Sequence, residues 1–193
     1  MRVDKTNTNW GQVKGGRLSS GNTKKIKIPK KSKELAEFIG ILLGDGNIHS
    51  YKKGKKVRVY QVRIAGDHEK DRDYHLNYVK PLCESLFGIN ANEVVYPHKN
   101  ERFIIIYSKL LIEFLDDMGL NAGNKIKNNL TIPNWIWKDD EFLKACVRGL
   151  IDTDGSIYKL TPHWPNLYQI CFRNHDLALL RDARRALMVL GSR

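Results

Sequence analysis

Two stretches of the chain share one pattern of apolar and polar positions. Each is a mostly apolar run that ends in aspartate and glycine: LAEFIGILLGDGNI at 35–48 and FLKACVRGLIDTDGSIY at 142–158. Small residues recur at every fourth position in both runs, as Ala36, Gly40 and Gly44 and as Ala145, Gly149 and Thr153. Positions four apart lie on one face of an α-helix, and small residues let two helix backbones approach closely. The pattern predicts two helices packed side by side, with Asp45 and Asp154 emerging together at one end.

The rest of the chain contains strand-like alternation and turn signals between amphipathic stretches. In the first part we predict helix 33–43 with Ser32 as its N-cap, strands 47–51 and 57–65, helix 67–87, strands 93–98 and 102–107, and helix 109–118. In the second part we predict helix 140–151, strands 158–161 and 167–173, and helix 175–190. The order of elements therefore restarts after a polar segment.

The restart indicates an internal repeat. Asp45 and Asp154 are 109 residues apart, and Asp67 and Asn174 are 107 residues apart. A nearly constant offset favours duplication over coincidence. We expect a basic N-terminal arm at 1–31, a first repeat at 32–120, a linker at 121–139 and a short second repeat at 140–193. The second repeat lacks a counterpart of the second hairpin and closing helix of the first.

Charge indicates the class of partner. The chain has 33 Lys and Arg against 21 Asp and Glu, which gives a net charge of +12. Such a balance favours a polyanion, and nucleic acid is the first candidate. The arm at 1–31 carries nine basic residues and one acidic residue. We expect the arm, including Lys30 and Lys31, to bind phosphates without reading sequence.

Other features of the sequence indicate the cellular compartment. Cys83, Cys146 and Cys171 are odd in number and widely spaced, which disfavours a disulfide framework or a zinc site and fits a reducing compartment. No apolar run approaches the roughly 20 residues of a membrane span. The N-terminus also lacks the apolar core of a signal peptide. We expect an intracellular protein, in a prokaryotic cytoplasm or an organelle, with no membrane partner.

The paired acids suggest metal chemistry. Two carboxylates that are forced close repel each other unless a cation lies between them. Mg²⁺ takes few protein carboxylates and completes its shell with water and phosphate oxygens, and such a site polarises a phosphodiester. Asp152 has no counterpart in the first run, where Leu43 occupies its place, so we interpret it as a cap or structural carboxylate.

The segments FIGILLGDG (38–46) and VRGLIDTDG (147–155) resemble the two signature motifs of LAGLIDADG homing endonucleases. The second motif keeps Gly-Leu-Ile-Asp-x-Asp-Gly, whereas the first is looser. The resemblance covers most of 32–193 and is nearest to two-motif, single-chain members encoded in archaeal or organellar introns. It implies an α+β fold: a pseudo-two-fold pair of αββαββα repeats, with the motif helices at the interface and two antiparallel sheets that form a DNA-binding saddle.

The resemblance also implies a set of site residues. The metal ligands would be the side chains of Asp45 and Asp154 and the carbonyl groups of Gly44 and Thr153. They would hold two or three Mg²⁺ ions, with Mn²⁺ as a substitute. Lys125 would be the basic catalytic residue of the linker, with Lys127 as its replacement. The residue near the attacking water is either Gly66 or Asp67 in the first repeat and either Arg173 or Asn174 in the second.

The strands would supply the contacts that read DNA. The candidates are Arg58, Gln61, Arg63, Lys159, Gln169 and Arg173, together with Lys127 in the linker. Because alternate residues of a strand face opposite sides, not all of these can face DNA. We interpret Tyr60, Tyr107 and Tyr168 as buried sheet aromatics rather than readers.

The leading hypothesis is a Mg²⁺-dependent, site-specific double-strand DNA endonuclease with a long target site. The repeat predicts a monomer that holds two half-sites, and the short second repeat leaves a dimer open. One alternative is a non-cleaving nucleic-acid binder on the same fold, such as an intron RNA maturase or a DNA-binding regulator. A further alternative, the nuclease part of an intein, is disfavoured because flanking splicing segments and a nucleophile at residue 1 are missing.

Overall fold

The fold comes from a computed structural model that describes residues 25–53, 56–160 and 166–191, with side chains described outside 51–58. Most of the predicted basic arm, residues 1–24, lies outside the described residues. Residues 25–27 lie against the first repeat, where the Lys27 backbone N–H donates to the Phe87 carbonyl oxygen at 2.8 Å and Ile26 packs against the core. This part of the arm is therefore attached to the body of the protein.

The first repeat contains every element that the sequence predicts. It comprises α1 (Lys33–Gly44), β1 (Gly46–Lys53), β2 (Lys56–Asp67), α2 (Arg72–Tyr74), a π-helical turn (His75–Val79), α3 (Lys80–Phe87), β3 (Asn92–Tyr96), a 3₁₀ turn (Pro97–Lys99), β4 (Glu101–Tyr107) and α4 (Lys109–Asp116). Ser32 and Ser108 are the N-caps of α1 and α4, each accepting a backbone N–H at 3.2 Å. Capping serines therefore fix where both helices begin.

The helix predicted from residue 67 begins later. The Asp67 carboxylate accepts the backbone N–H groups of Glu69 and Lys70 at 3.0 and 2.9 Å, which closes a turn before Arg72. Asp residues favour such turns because the side chain satisfies nearby backbone donors. The prediction of helix at 67–71 was therefore wrong.

The second repeat is shorter within the described residues. It comprises α5 (Asp140–Asp154), β5 (Gly155–Lys159), β6 (Tyr168–Phe172) and α6 (Leu177–Val189). The strand predicted at 158–161 begins instead at Gly155, directly after the helix, because Gly155 pairs with Phe172. Asp139 and Asp176 cap α5 and α6 through their carboxylates. One hairpin follows α5 here, whereas two hairpins follow α1.

Both sheets are antiparallel, as predicted. The first has the strand order β1-β2-β4-β3, and the second pairs β5 with β6. On β2, Val62 and Ile64 are buried in the core, while Gln61 and Arg63 point to the opposite face. One face of the first sheet therefore covers the core, and the other carries polar side chains.

The motif helices α1 and α5 pack against each other at their small residues. A Cβ atom on Gly149 would lie 2.8 Å from the Ile41 backbone nitrogen, and one on Gly40 would lie 3.0 Å from the Cys146 carbonyl carbon. Only glycine fits at so close a backbone contact. The structure thus confirms the predicted pairing of the two small-residue stripes.

The predicted linker crosses between the repeats and is partly buried. Leu130, Ile132 and Ile136 are at most 4% exposed. The Ile132 backbone N–H donates to Asp182 on α6 at 2.9 Å, so the linker contacts the second repeat. Within the described ranges no helix combines the length and apolarity that crossing a bilayer requires.

Candidate active site

Asp45 and Asp154 occupy equivalent positions in the two repeats. Asp45 is the C-cap of α1, and Asp154 is the last residue of α5. The Asp45 carbonyl oxygen accepts the Ala65 N–H at 3.1 Å, and the Asp154 carbonyl oxygen accepts the Arg173 N–H at the same distance. Each acid is therefore tied to the strand of its own repeat. The side-by-side packing of α1 and α5 brings both to one end of the helix pair.

The electrostatic surroundings of Asp45 disfavour its charge. Burial raises the pKa of Asp45 to about 6, and the charge of Asp154 adds to the effect. Lys125 opposes the shift because a cation favours the carboxylate. Asp154 also lies close to α1, since a Cβ atom on Gly44 would be 3.4 Å from its Oδ2. The charge of Asp154 thus acts on Asp45, in keeping with the predicted packing of the small-residue stripes.

Lys125 reaches from the linker to the end of α1. Its ammonium group donates hydrogen bonds to the carbonyl oxygen of Leu43 at 2.9 Å and to that of Gly44. Burial lowers the pKa of Lys125, while the charges of Asp154 and Asp45 act in the opposite direction. The Gly44 carbonyl, expected as a metal ligand, is therefore engaged by Lys125.

Asn174 is the polar side chain that contacts Asp154. Its Nδ2 donates to Asp154 Oδ2 at 2.6 Å, and its Oδ1 accepts the Asp176 backbone N–H at 2.7 Å. Of the two alternatives in the second repeat, Asn174 rather than Arg173 thus contacts the acid through its side chain. The sequence could not separate them because the choice depends on strand register.

The first repeat has a different arrangement. Ala65 and Arg173 make equivalent hydrogen bonds, because each donates its backbone N–H to the carbonyl oxygen of the motif acid in its own repeat. The residue after Ala65 is Gly66, and the residue after Arg173 is Asn174. Gly66 therefore occupies the position of Asn174. The Asp67 side chain is committed elsewhere, with Oδ2 accepting from Asn100 Nδ2 at 2.6 Å. The first repeat therefore has no side chain directly equivalent to Asn174.

A cavity of about 520 Å³ opens beside Asp154. Its walls come from the end of α1, the linker and the start of α6, and its lining includes Leu43, Gly44, Lys125, Ile126, Leu130, Asp154, Arg173, Asn174, His175, Asp176 and Leu179. The polar groups of this lining gather around Asp154. The cavity can admit a small polar group next to the candidate metal ligand.

The donor set fits a cation that keeps much of its water. In the described ranges, no three His, Cys, Asp or Glu side chains are grouped so that they could hold a metal ion. Two converging carboxylates, one with a raised pKa, would gain from a cation between them. Mg²⁺ is often bound by one or two carboxylates with water and phosphate oxygens. The Thr153 hydroxyl is used inside α5, where it donates to Gly149 and Leu150 carbonyls at 2.9 and 3.0 Å.

The polar face of the first sheet carries two of the predicted DNA-contacting residues. Gln61 pairs with His49 and Arg63 pairs with Asn47, so all four side chains share this face. The Arg63 guanidinium lies 4.1 Å from the centroid of the Phe103 ring. We missed Asn47 and His49 from the sequence, although the register of the first hairpin would have indicated them. The Arg58 side chain lies outside the described part.

The candidate DNA-contacting residues of the second sheet lie on both of its faces. Gln169 alternates with Ile170 and Phe172, and Phe172 packs against the core. Lys159 pairs with Tyr168 and therefore shares the face of Phe172, opposite to Gln169. Arg173 lines the cavity beside Asp154. Lys159 and Gln169 therefore lie on opposite faces, in keeping with the expectation that not all of the strand candidates can face DNA.

Lys30 and Lys31 lie at the opposite end of α1 from Asp45. They precede α1, whereas Asp45 follows it, and twelve helical residues span about 18 Å. The Lys31 ammonium is 5.9 Å from the Trp135 ring centroid. Their contact with DNA phosphates stays a prediction, and it would have to be made at a distance from the two acids. Lys127 is exposed two residues after Lys125.

The remaining predictions concern three tyrosines and Asp152, and their outcomes differ. Tyr60 is partly buried against the core, which confirms its structural interpretation. Tyr107 and Tyr168 are 40% and 59% exposed, so their interpretation as buried aromatics was wrong. Tyr107 pairs with Gln61 and shares its polar face. Asp152 lies 3.6 Å from Arg148 Nε one turn earlier in α5, in keeping with a structural carboxylate.

One family model and several solved structures match this chain. Residues 141–193 match the family described as LAGLIDADG-like domain. A structure of mesophilic variants of the homing endonuclease I-DmoI has a TM-score of 0.58 and 17% sequence identity, over 82% of this chain and 77% of that chain. I-DmoI in complex with DNA and Mn also has a TM-score of 0.58, with 19% identity over 82% of this chain and 78% of that chain.

This chain matches only a small segment of each curated relative. The replication factor C small subunit of Methanocaldococcus jannaschii is 27% identical over 139 residues, which are 66% of this chain and 7% of that protein. The reverse gyrase of the same organism is 25% identical over 167 residues, 86% of this chain and 8% of that protein. The activities in those names therefore do not transfer. The chain has the fold of the homing endonuclease I-DmoI, and its residues 141–193 match the family of LAGLIDADG-like domains.

Proposed function

We propose that this protein is a site-specific DNA endonuclease that hydrolyses both strands with a divalent cation, Mg²⁺ by preference. The convergence of Asp45 and Asp154 is the observation that carries the proposal. One acid comes from each repeat, and burial together with the neighbouring acid raises the pKa of Asp45 to about 6. A cation bound there would be stabilised by both carboxylates and would supply Lewis-acid polarisation of a phosphodiester.

The chain's own residues have distinct tasks in this proposal. Asp45 and Asp154 hold the cation, and the Thr153 carbonyl is an additional candidate ligand. Lys125 is held by the Leu43 carbonyl beside both acids, where its positive charge would stabilise negative charge that develops on the phosphate. Asn174 orients the Asp154 carboxylate through its 2.6 Å hydrogen bond. Two repeats with one acid each suit the two strands of a duplex.

The polar face of the first sheet would contact the DNA. Gln61 and Arg63 lie on this face with Asn47 and His49, and these are side-chain types that pair with base edges or phosphates. The net charge of +12 favours a polyanionic partner. The I-DmoI structures of this fold were solved with DNA and Mn, and with DNA and Ca. We propose a monomer that holds two half-sites, because both acids lie in one chain.

Cleavage of a pooled library of genomic fragments tests the proposal. The protein is incubated with the pool in Mg²⁺, in Ca²⁺ and in EDTA, and new DNA ends are sequenced. We expect discrete paired ends at one long sequence in Mg²⁺ and none in EDTA. Retention of the same fragments in Ca²⁺ would separate binding from cutting.

Two other outcomes would change the conclusion. Specific retention of fragments in Ca²⁺ with intact DNA in Mg²⁺ would contradict the nuclease and favour a non-cleaving binder on this fold. Equal retention of all fragments, without cutting, would contradict site-specificity as well.

A further inference from the structure

The two repeats differ at the position that contacts the motif acid. In each repeat a strand N–H donates to the carbonyl oxygen of the motif aspartate, from Ala65 in the first and Arg173 in the second. The next residue is Gly66 in the first repeat and Asn174 in the second. Asn174 reaches its acid with a side-chain amide, and Gly66 has no side chain. The two half-sites are therefore chemically unequal.

Two side chains from the following helical segment fill the space beside Gly66. A Cβ atom there would lie 3.0 Å from Asp71 Oδ2 and 2.6 Å from the Cε1 of His75. Any larger residue at 66 would displace this pair. The glycine therefore makes room for Asp71 and His75 at the place that Asn174 takes in the second repeat.

Asp71 is held in this position by a backbone hydrogen bond. Its Oδ2 accepts the Asp67 backbone N–H at 2.6 Å, which fixes the carboxylate over the end of β2. Ala65, the residue before Gly66, donates its backbone N–H to the Asp45 carbonyl oxygen at 3.1 Å, which ties this part of β2 to the motif acid. The Asp71 side chain is partly exposed, so water can reach it.

His75 lies behind Asp71 and is 2% exposed. Burial lowers its pKa, so the ring is neutral at pH 7. Its Nδ1 has no hydrogen-bond partner among the described residues. A buried ring nitrogen without a partner carries a desolvation cost and is a site for a water molecule.

We propose that Asp71 is the water-positioning residue of the first half-site, at the place that Asn174 occupies in the second. The inference rests on the proposed nuclease function. A carboxylate in the space beside Gly66 would orient a water by accepting its hydrogen bond, and the buried His75 ring fills the rest of that space. An amide at the second half-site can both donate and accept. The two DNA strands would therefore be cut by half-sites of different chemistry.

Strand-resolved cleavage tests this assignment. A duplex of the identified target carries a different dye on each strand, and single-turnover cutting in Mg²⁺ gives one rate per strand. Asp71→Asn keeps the oxygen that accepts the Asp67 N–H but removes the charge. We expect it to slow one strand by about 10-fold or more and the other by less than about 2-fold. Asn174→Ala should slow the opposite strand.

Asp73→Asn is the matched control, because it removes a carboxylate from the exposed side of the same helical segment. We expect both of its strand rates to equal those of the wild type. Equal slowing of both strands by Asp71→Asn, or no slowing with an unchanged melting temperature, would overturn the inference while leaving the nuclease intact. A wild-type protein that cuts neither strand would refute the proposed function and this inference together.

Discussion

Lys125 in the linker donates a hydrogen bond to the carbonyl oxygen of Gly44 at the end of the first motif helix, across 81 positions of the sequence. A second hydrogen bond to the Leu43 carbonyl, at 2.9 Å, holds the ammonium in the same place. These two hydrogen bonds hold the Lys125 ammonium group beside Asp45 and Asp154. Burial lowers the pKa of Lys125, and the charges of the two acids oppose this shift. The linker therefore contributes a positive charge to the site that the two helices form.

Replacing Lys125 by Met keeps much of the side-chain volume and removes the charge. We expect cleavage in Mg²⁺ to fall by about 100-fold, because one preorganised group that stabilises developing charge is lost. Binding of the target in Ca²⁺ should change by only a few-fold. Lys127→Met is the control, since Lys127 is exposed. Unchanged cleavage by Lys125→Met would remove the residue from the site.

The raised pKa of Asp45 predicts how stability depends on pH when no metal is present. The folded protein raises this pKa from 3.8 to about 6, so the fold disfavours the charged form. The contribution of Asp45 to stability is therefore fully present below about pH 4 and is lost as the pH rises through about 6. Asp45→Asn cannot ionise and should escape the loss.

Urea unfolding in EDTA measures the effect. At a pH above 6, where Asp45 is charged, we expect Asp45→Asn to be more stable than the wild type by about 1–2 kcal/mol, a value reduced for partial solvent exposure. Below pH 4 the two proteins should have the same free energy of unfolding. A stability difference that is the same at both pH values would contradict the assigned pKa.

The glycine contacts between α1 and α5 predict a loss of stability on small substitutions. In Gly149→Ala the new methyl group would lie 2.8 Å from the Ile41 backbone nitrogen, so the helices must separate. We expect the free energy of unfolding to fall by about 2–3 kcal/mol, as overpacking at a backbone contact does. Lys144→Ala, on the exposed side of α5, should cost less than about 0.5 kcal/mol. Equal stability of Gly149→Ala and the wild type would exclude this close packing.

DNA binding should respond to Arg63 and not to Lys30. Arg63 lies on the polar face of the first sheet, with its guanidinium over Phe103, whereas Lys30 lies before α1 at the opposite end from Asp45. Arg63→Ala should weaken target binding in Ca²⁺ by about 1–3 kcal/mol. Lys30→Ala removes the same charge and should leave the affinity within about 2-fold at physiological salt. The reverse ranking would place DNA on a different surface.

The sequence predicted what depends on local pattern. The repeated spacing of Gly40 and Gly149 predicted the helix pair, and the repeat itself predicted that Asp45 and Asp154 would meet. Both signals lie within single helices, whose geometry is known in advance. The order of helices and strands in the first repeat followed from the same periodicity and from capping residues.

Other features depend on contacts between distant segments. Charge suggested Lys30 as a DNA contact and strand position suggested Lys159, but neither tells which end or face of the fold a residue occupies. Asn174 could not be separated from Arg173 because the offset between repeats changes by one residue inside the hairpins, from 109 at the acids to 108 at Gly66 and Asn174. A change of one residue in a strand reverses the face of its side chains.

Cleavage and binding of the identified target by Asp45→Asn and Asp154→Asn test the central claim most directly. Both rates are measured in Mg²⁺, and both affinities in Ca²⁺. We predict that each variant loses double-strand cleavage by at least about 100-fold and still binds the target, because each acid holds part of one cation site. Double-strand cleavage at the wild-type rate by both variants would show that the two motif acids do not form the active site.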